Sequence, residues 1–263
     1  MSSNNKRGRI VQSPSVNTMR LSGKRAVVTG GSSGIGRAVA IELAKQGARV
    51  AINYRQSCDA ASDCVAEIKG LGFEAASFQA DVADVPQVSS LSADATEYLG
   101  GIDIWANVAG ADILTGSGAD LADHEKLQQL LSVDLQGTIN CCWAAEPILR
   151  RSNTAVVVNM SWDLALRGMA GRNPEMFSAV KAGITGFTRS FARTVAPHIR
   201  VNEVAPGWIA TAFAEKEMTD EYRTWVIEQT PMARFGYPQD IANAVVFLCS
   251  EESNFITGQT LNV

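Results

Sequence analysis

Glycines stand at positions 30, 31, 34 and 36 of Thr29-Gly30-Gly31-Ser32-Ser33-Gly34-Ile35-Gly36, a spacing that points to anion binding by the backbone. Without side chains at Gly30, Gly34 and Gly36, the chain can turn tightly and bring main-chain amides up to a pyrophosphate, with Ser32, Ser33 and Ile35 completing the turn. Such a pattern alone also fits an empty tight turn, so the context has to separate the two. An apolar run, Arg25-Ala26-Val27-Val28, precedes the loop, and an amphipathic segment over 34–46 follows it. A helix starting there offers unpaired N–H groups and the positive end of its dipole to the anion. The loop is therefore predicted to hold a dinucleotide.

A second cue lies about 20 residues further on, where an NAD site places a carboxylate on the ribose 2′-hydroxyl. The residues here are Asn53-Tyr54-Arg55-Gln56-Ser57, with no carboxylate among them. Arg55, beside Tyr54, suits a 2′-phosphate by charge and by its bidentate fork. A solvated surface arginine is the plainer alternative. The missing acid and the present base agree, and they favour NADP(H) over NAD(H).

These residues need a scaffold. Apolar runs recur at Ala48–Asn53, Phe73–Phe78, Ile102–Val108, Ala155–Met160 and His198–Val204, with a last one ending at Val263. Helical segments of 10 or more residues separate them. That alternation predicts an α/β fold, a doubly wound parallel sheet covered by helices on both faces. Ligands of such sheets sit at the carboxyl ends of the strands, so Asp81-Val82 and Asn107-Val108-Ala109-Gly110 should face the site.

Composition bounds the rest. The 263 residues are 46% hydrophobic with a net charge of −4, enough for one sizeable domain and no electrostatic case for nucleic acid or an anionic membrane. No apolar run approaches the ~20 residues that cross a bilayer. The five cysteines and two histidines lack metal-ligand spacing, and thiols in a reducing compartment, the cytoplasm by default, explain them. Residues 1–20 are basic, Ser-rich and without an acid. That composition predicts a disordered tail ahead of a domain over 21–263, with a transit peptide as the alternative.

Taken together, the glycine loop, Asp81-Val82, Asn107-Val108-Ala109-Gly110, Val201-Asn202-Glu203-Val204-Ala205-Pro206-Gly207-Trp208-Ile209 and Ile256-Thr257-Gly258-Gln259-Thr260-Leu261-Asn262-Val263 resemble the short-chain dehydrogenase/reductase family. The resemblance runs from 21 to 263 and is nearest to β-ketoacyl-ACP-reductase-like members. It implies a single Rossmann domain, usually a tetramer, with a dimer or a hetero-oligomer as other assemblies. It also implies that Asp81 and Val82 meet the adenine and that Asn107, Ala109 and Gly110 line the ribose side. Pro206, Gly207, Ile209 and Thr211 would contact the nicotinamide end.

The family's reaction is carried by Asn, Ser, Tyr and Lys, and this chain departs at three of the four. The Tyr-x-x-x-Lys segment reads Phe177-Ser178-Ala179-Val180-Lys181, which keeps Lys181 for the nicotinamide ribose but has no phenol. In Asn159-Met160-Ser161-Trp162 an ungapped reading puts Trp162 at the serine, with Ser161 beside it. Asp134 stands where asparagine is usual. Phenylalanine has no exchangeable proton, so another acid is required for general acid–base catalysis. Asp163 and Asp134 are the candidates, each needing a raised pKa; a water held by Ser161 and Lys181 is the third. Phe177 also heads an apolar stripe, Phe177, Val180, Ile184, Phe187, Phe191 and Val195, at helical steps. Trp162, Phe177 and Trp208 are expected to wall an aromatic substrate pocket.

Two functions follow. One is a divergent NADP(H)-dependent oxidoreductase moving hydride between nicotinamide and a small carbonyl or alcohol. The other is a catalytically inactive NADP(H)-binding relative serving as a partner subunit or sensor.

Overall fold

Strands that are apolar on both faces need cover on both, and the order of elements supplies it. The computed structural model describes residues 19–211, 214 and 218–263. Seven parallel strands run in the order β3-β2-β1-β4-β5-β6-β7. They are β1 (Arg25–Thr29), β2 (Arg49–Tyr54), β3 (Ala75–Gln79), β4 (Ile104–Asn107), β5 (Ala155–Met160), β6 (Ile199–Ala205) and β7 (Thr260–Asn262). The strands read from the sequence are all present, with ends shifted by a few residues.

Helices α1 (Gly34–Lys45), α2 (Cys58–Gly70) and α3 (Val85–Leu99) follow the first three strands. A short α4 (Gly116–Ala119), α5 (Asp123–Gln129), a π-helical segment over Leu130–Gln136 and α6 (Gly137–Leu149) lie between β4 and β5. After β5 comes α7 (Arg172–Val195), and after β6 come α8 (Asp220–Gln229) and α9 (Pro238–Cys249). Side chains alternate across each strand, so one core packs Val28, Ile52, Ile104 and Val158 under α1, α2 and α9. The other packs Val27, Ala51, Trp105 and Val157 under α3, α6 and α7. Val180, Ile184, Phe191 and Val195 are the buried stripe of α7, as their spacing predicts.

The expected basic tail over 1–20 lies outside the described residues, apart from Met19 and Arg20, whose guanidinium pairs with Glu252 at 2.5 Å. Among the described residues, no helix is long and apolar enough to cross a membrane. Nor do three or more His, Cys, Asp or Glu side chains gather there where a metal ion could be held.

Two polar features tie the sheet together. At the amino ends, Asp103 receives Arg25 Nε and Nη2 at 2.8 Å each and Ser152 Oγ at 2.6 Å, stapling β1 to the start of β4 and the end of α6. At the carboxyl ends, the register sets Thr29 beside Asn107, Asn107 beside Asn159, and Asn159 beside Glu203. A polar rung thus crosses four largely apolar strands just beneath the site.

Candidate active site

The glycine loop leaves β1 and enters α1 with little room to spare. A Cβ on Gly30, which has φ 64°, would come within 2.7 Å of Ala109 Cα. One on Gly36 would fall 2.1 Å from the Gly30 carbonyl oxygen, so the turn closes only with glycine there. Ser33 is the N-cap of α1, yet its hydroxyl caps nothing. The first-turn amides therefore have no partner within the helix and face the cleft. This donor set, with a backbone cradle that a side chain would fill, fits a pyrophosphate.

Asn53, buried at the end of β2, braces the loop. Its Oδ1 accepts from the Gly30 amide at 3.4 Å, and its Nδ2 donates to the Ala80 carbonyl at 2.9 Å. Beyond it, Tyr54 and Arg55 reach the cleft rim. The Arg55 guanidinium stands 4.0 Å from Asp81 Oδ2, with Arg55 exposed and Asp81 half-buried. Such a contact holds the guanidinium only weakly and leaves it able to turn toward an anion.

The cleft itself has a volume of about 1100 Å³ and runs from the glycine loop to Trp208 and Tyr222. Asp81, Val82, Ala109 and Gly110 form its middle, and Pro206, Gly207, Ile209 and Thr211 its far wall. Trp162 and Phe177 meet across it with ring centroids 6.1 Å apart, and Trp208 sets its edge on Tyr222 at 5.5 Å. The aromatic pocket expected from Trp162, Phe177 and Trp208 is thus assembled, with Tyr222 added.

Lys181 points into the cleft from α7, one helical turn beyond Phe177. Its ammonium lies 2.8 Å from Asp134 Oδ2, and Asp134, only 2% exposed, accepts the Ala111 amide on Oδ1 at 2.7 Å. Both of its oxygens are thus engaged, one by the Lys181 ammonium and one by a backbone amide, and the candidate acid Asp134 pairs with Lys181. The π-helical segment brings it there, since a wider turn displaces the side chains along it.

Ser161 also lines the cleft, but its hydroxyl donates backward to Glu203 Oε1, which Thr185 Oγ1 approaches at 2.9 Å. Lys181 Nζ lies 3.5 Å from the Met160 carbonyl. Glu203, on β6, is fully enclosed, and its burial pushes the carboxyl above the ordinary glutamate range despite those hydrogen bonds.

Two expected residues sit off the cleft wall. Asn107 accepts the Trp105 indole at 2.9 Å and donates to Asn159 Oδ1 at 2.9 Å, so its side chain is spent on the polar rung rather than on a ribose. Asp163 sits in the turn after β5, where its Oδ2 would be 3.3 Å from a Cβ placed on Gly207. Burial raises its carboxyl, partly offset by the Leu164 amide and Arg167, and it packs behind Gly207 rather than lining the cleft itself, with Oδ1 buried and unpartnered among the described residues. Glu203 and Tyr222 were not read as site residues from sequence. The carboxylate inside the apolar run Val201–Ala205 was the signal for the first; nothing local marked the second.

Known proteins resemble this chain in sequence and in fold. A family profile described as enoyl-(acyl carrier protein) reductase matches residues 30–263. The 3-oxoacyl-(acyl-carrier-protein) reductase of Staphylococcus aureus is 36% identical over 241 residues, 91% of this chain and 96% of that one. An L-rhamnose 1-dehydrogenase (NAD(P)(+)) from a Sphingomonas species is 36% identical over 246 residues, covering 92% and 95%. Among solved structures, a short chain dehydrogenase from Burkholderia cenocepacia in complex with NADP superposes with a TM-score of 0.82 at 35% identity, over 93% of this chain and 97% of the other.

Proposed function

The chain belongs to the short-chain dehydrogenase/reductase family of oxidoreductases, and on that footing we propose that it binds NADP(H) and reduces a small carbonyl compound or oxidises the corresponding alcohol. The observation that carries this reading is the loop end of the cleft: the uncapped start of α1, the Gly30 and Gly36 cradle, and Arg55 at the rim with no carboxylate at the end of β2. Bound NADP(H) supplies or takes up the hydride. The amides of Gly34, Ile35 and Gly36 would hold the pyrophosphate, Arg55 the 2′-phosphate and Lys181 the nicotinamide ribose, with Asp134 orienting the ammonium. Trp162, Phe177 and Trp208 would exclude water from a flat or apolar substrate. Four of the five cysteines are buried thiols without a disulfide, which supports the cytoplasm.

The second reading, a binding protein without turnover, is favoured by Phe177 at the position of the family's tyrosine and by Asp134 tying up Lys181. Calorimetry with NADPH and NADH decides the cofactor. Arg55→Ala is expected to weaken NADPH about 10-fold or more while sparing NADH, the magnitude of one charge-assisted contact. Equal losses for both nucleotides would refute the preference, and absence of binding would refute both readings. A panel of carbonyl substrates then separates reductase from binding protein.

A further inference from the structure

Glu203 is a buried ionisable group behind the cleft wall, in contact with Ser161, that neither the glycine loop nor the Lys181–Asp134 pair employs. Its Oε1 is shared by the hydroxyls of Ser161 and Thr185. Its Oε2 makes no well-formed hydrogen bond among the described residues; the Thr260 hydroxyl lies near enough to favour the ionised form, but less than burial disfavours it. A carboxylate there would strand charge on a buried, unsolvated oxygen, whereas the neutral acid leaves only one unmade contact. Charges around it do little to reverse this. Arg189 on α7 faces it with a weak attraction, Lys181 on the same helix is engaged by Asp134, and β5 and β7 contribute only Asn159, Ser161 and Thr260. The carboxyl accordingly titrates above the usual glutamate range.

Ser161 connects this acid to the cleft. Ser161 Oγ and Glu203 Oε1 share one hydrogen bond, which the serine hydroxyl makes as donor to an ionised Glu203. With the acid's proton on Oε1 that bond reverses, and the hydroxyl's own hydrogen is available to the open side, where Ser161 joins the wall beside Trp162 and Phe177.

We propose that Glu203 is the proton reservoir of this site, and that the Ser161 hydroxyl hands its proton to the substrate oxygen during carbonyl reduction. The proposal rests on the reductase reading above. In the balanced step, bound NADPH would be the two-electron reductant, its hydride going to the carbonyl carbon and leaving NADP⁺, so that the C=O π pair would move onto oxygen. That oxygen takes the Ser161 hydroxyl proton as Ser161 Oγ takes the proton of Glu203. Glu203 is left as a carboxylate and recovers its proton through Ser161 once the alcohol departs. Ser161 is then the catalytic residue and Glu203 acts through it.

Two measurements test this. Infrared spectra of the nucleotide-free protein are expected to show a protonated-carboxyl band that persists well above pH ~4–5, the ordinary glutamate range, and is missing from Glu203→Gln. A parent without that band above this range overturns the proposal. In turnover, the parent's reduction rate is expected to fall as pH rises through the Glu203 titration. Glu203→Gln and Ser161→Ala should each lose about 10²-fold or more and lose that pH limb, while NADPH affinity is retained. Ser161→Ala keeps the test open should the glutamine variant fold poorly. Reduction with an unaltered limb in the variants overturns the relay and leaves the reductase reading standing. A parent that binds NADPH and reduces nothing removes the reductase reading, and the relay with it.

Discussion

At the scale of single residues, the cleft is a cofactor site attached to an unusual chemical end. Phe177 occupies a position one helical turn from an ammonium, and Trp162 packs against it at 6.1 Å. Phe177→Tyr restores an exchangeable proton there. Turnover on a carbonyl panel is expected to rise about 10²-fold, the low end of a positioned acid's contribution, because Asp134 still holds Lys181. Initial rates of the variant against the parent check it, and an unchanged rate would show that the phenol does not reach the substrate. The sequence made Gly30, Gly36, Arg55 and Lys181 legible, because backbone cradles and long cationic side chains announce themselves by type and spacing. It did not show what Asp134 and Asp163 face: Asp134 meets the Lys181 ammonium and the Ala111 amide, and Asp163 packs beside Gly207. Whether a carboxylate donates a proton or serves as a counter-ion depends on what lies opposite, and neither the Ala111 amide nor Gly207 is near in sequence.

At the scale of elements, alternation of apolar strands and helices was enough to give the layers, since burial on both faces leaves few other arrangements. The π-helical segment over Leu130–Gln136 was not legible; its residues have ordinary helical propensities, and the displaced turn answers to the tertiary pairing of Asp134 with Lys181. Nor was the Asp103 staple, which joins three elements far apart in the chain. Burial alone would raise the Asp103 carboxyl, but the bonds from Arg25 and Ser152 hold it below its usual value. Asp103→Asn is expected to cost about 1–3 kcal/mol near neutral pH, the loss on removing one partner of a buried polar group. A group with a depressed folded pKa contributes stability above its unfolded pKa and loses it as pH falls through the folded value. The gap between parent and variant in denaturant unfolding should therefore shrink below pH ~4. A constant gap would refute the ionic origin.

At the scale of the whole molecule, Glu203 has the opposite sign. Its raised folded pKa adds stability that is full below the unfolded glutamate pKa of about 4.3 and is lost as pH rises through the folded value. Parent unfolding free energy should decline relative to Glu203→Gln over that rise; parallel curves would contradict it. The polar rung across β1, β4, β5 and β6 has a further consequence, for folding fidelity. Sliding β5 one residue along β4 would part Asn159 from Asn107 and set a buried amide against valine. Misaligned sheets are thereby penalised at the same four strand ends that floor the cleft, so a chain that has reached its correct pairing has also assembled the ground on which its chemistry stands.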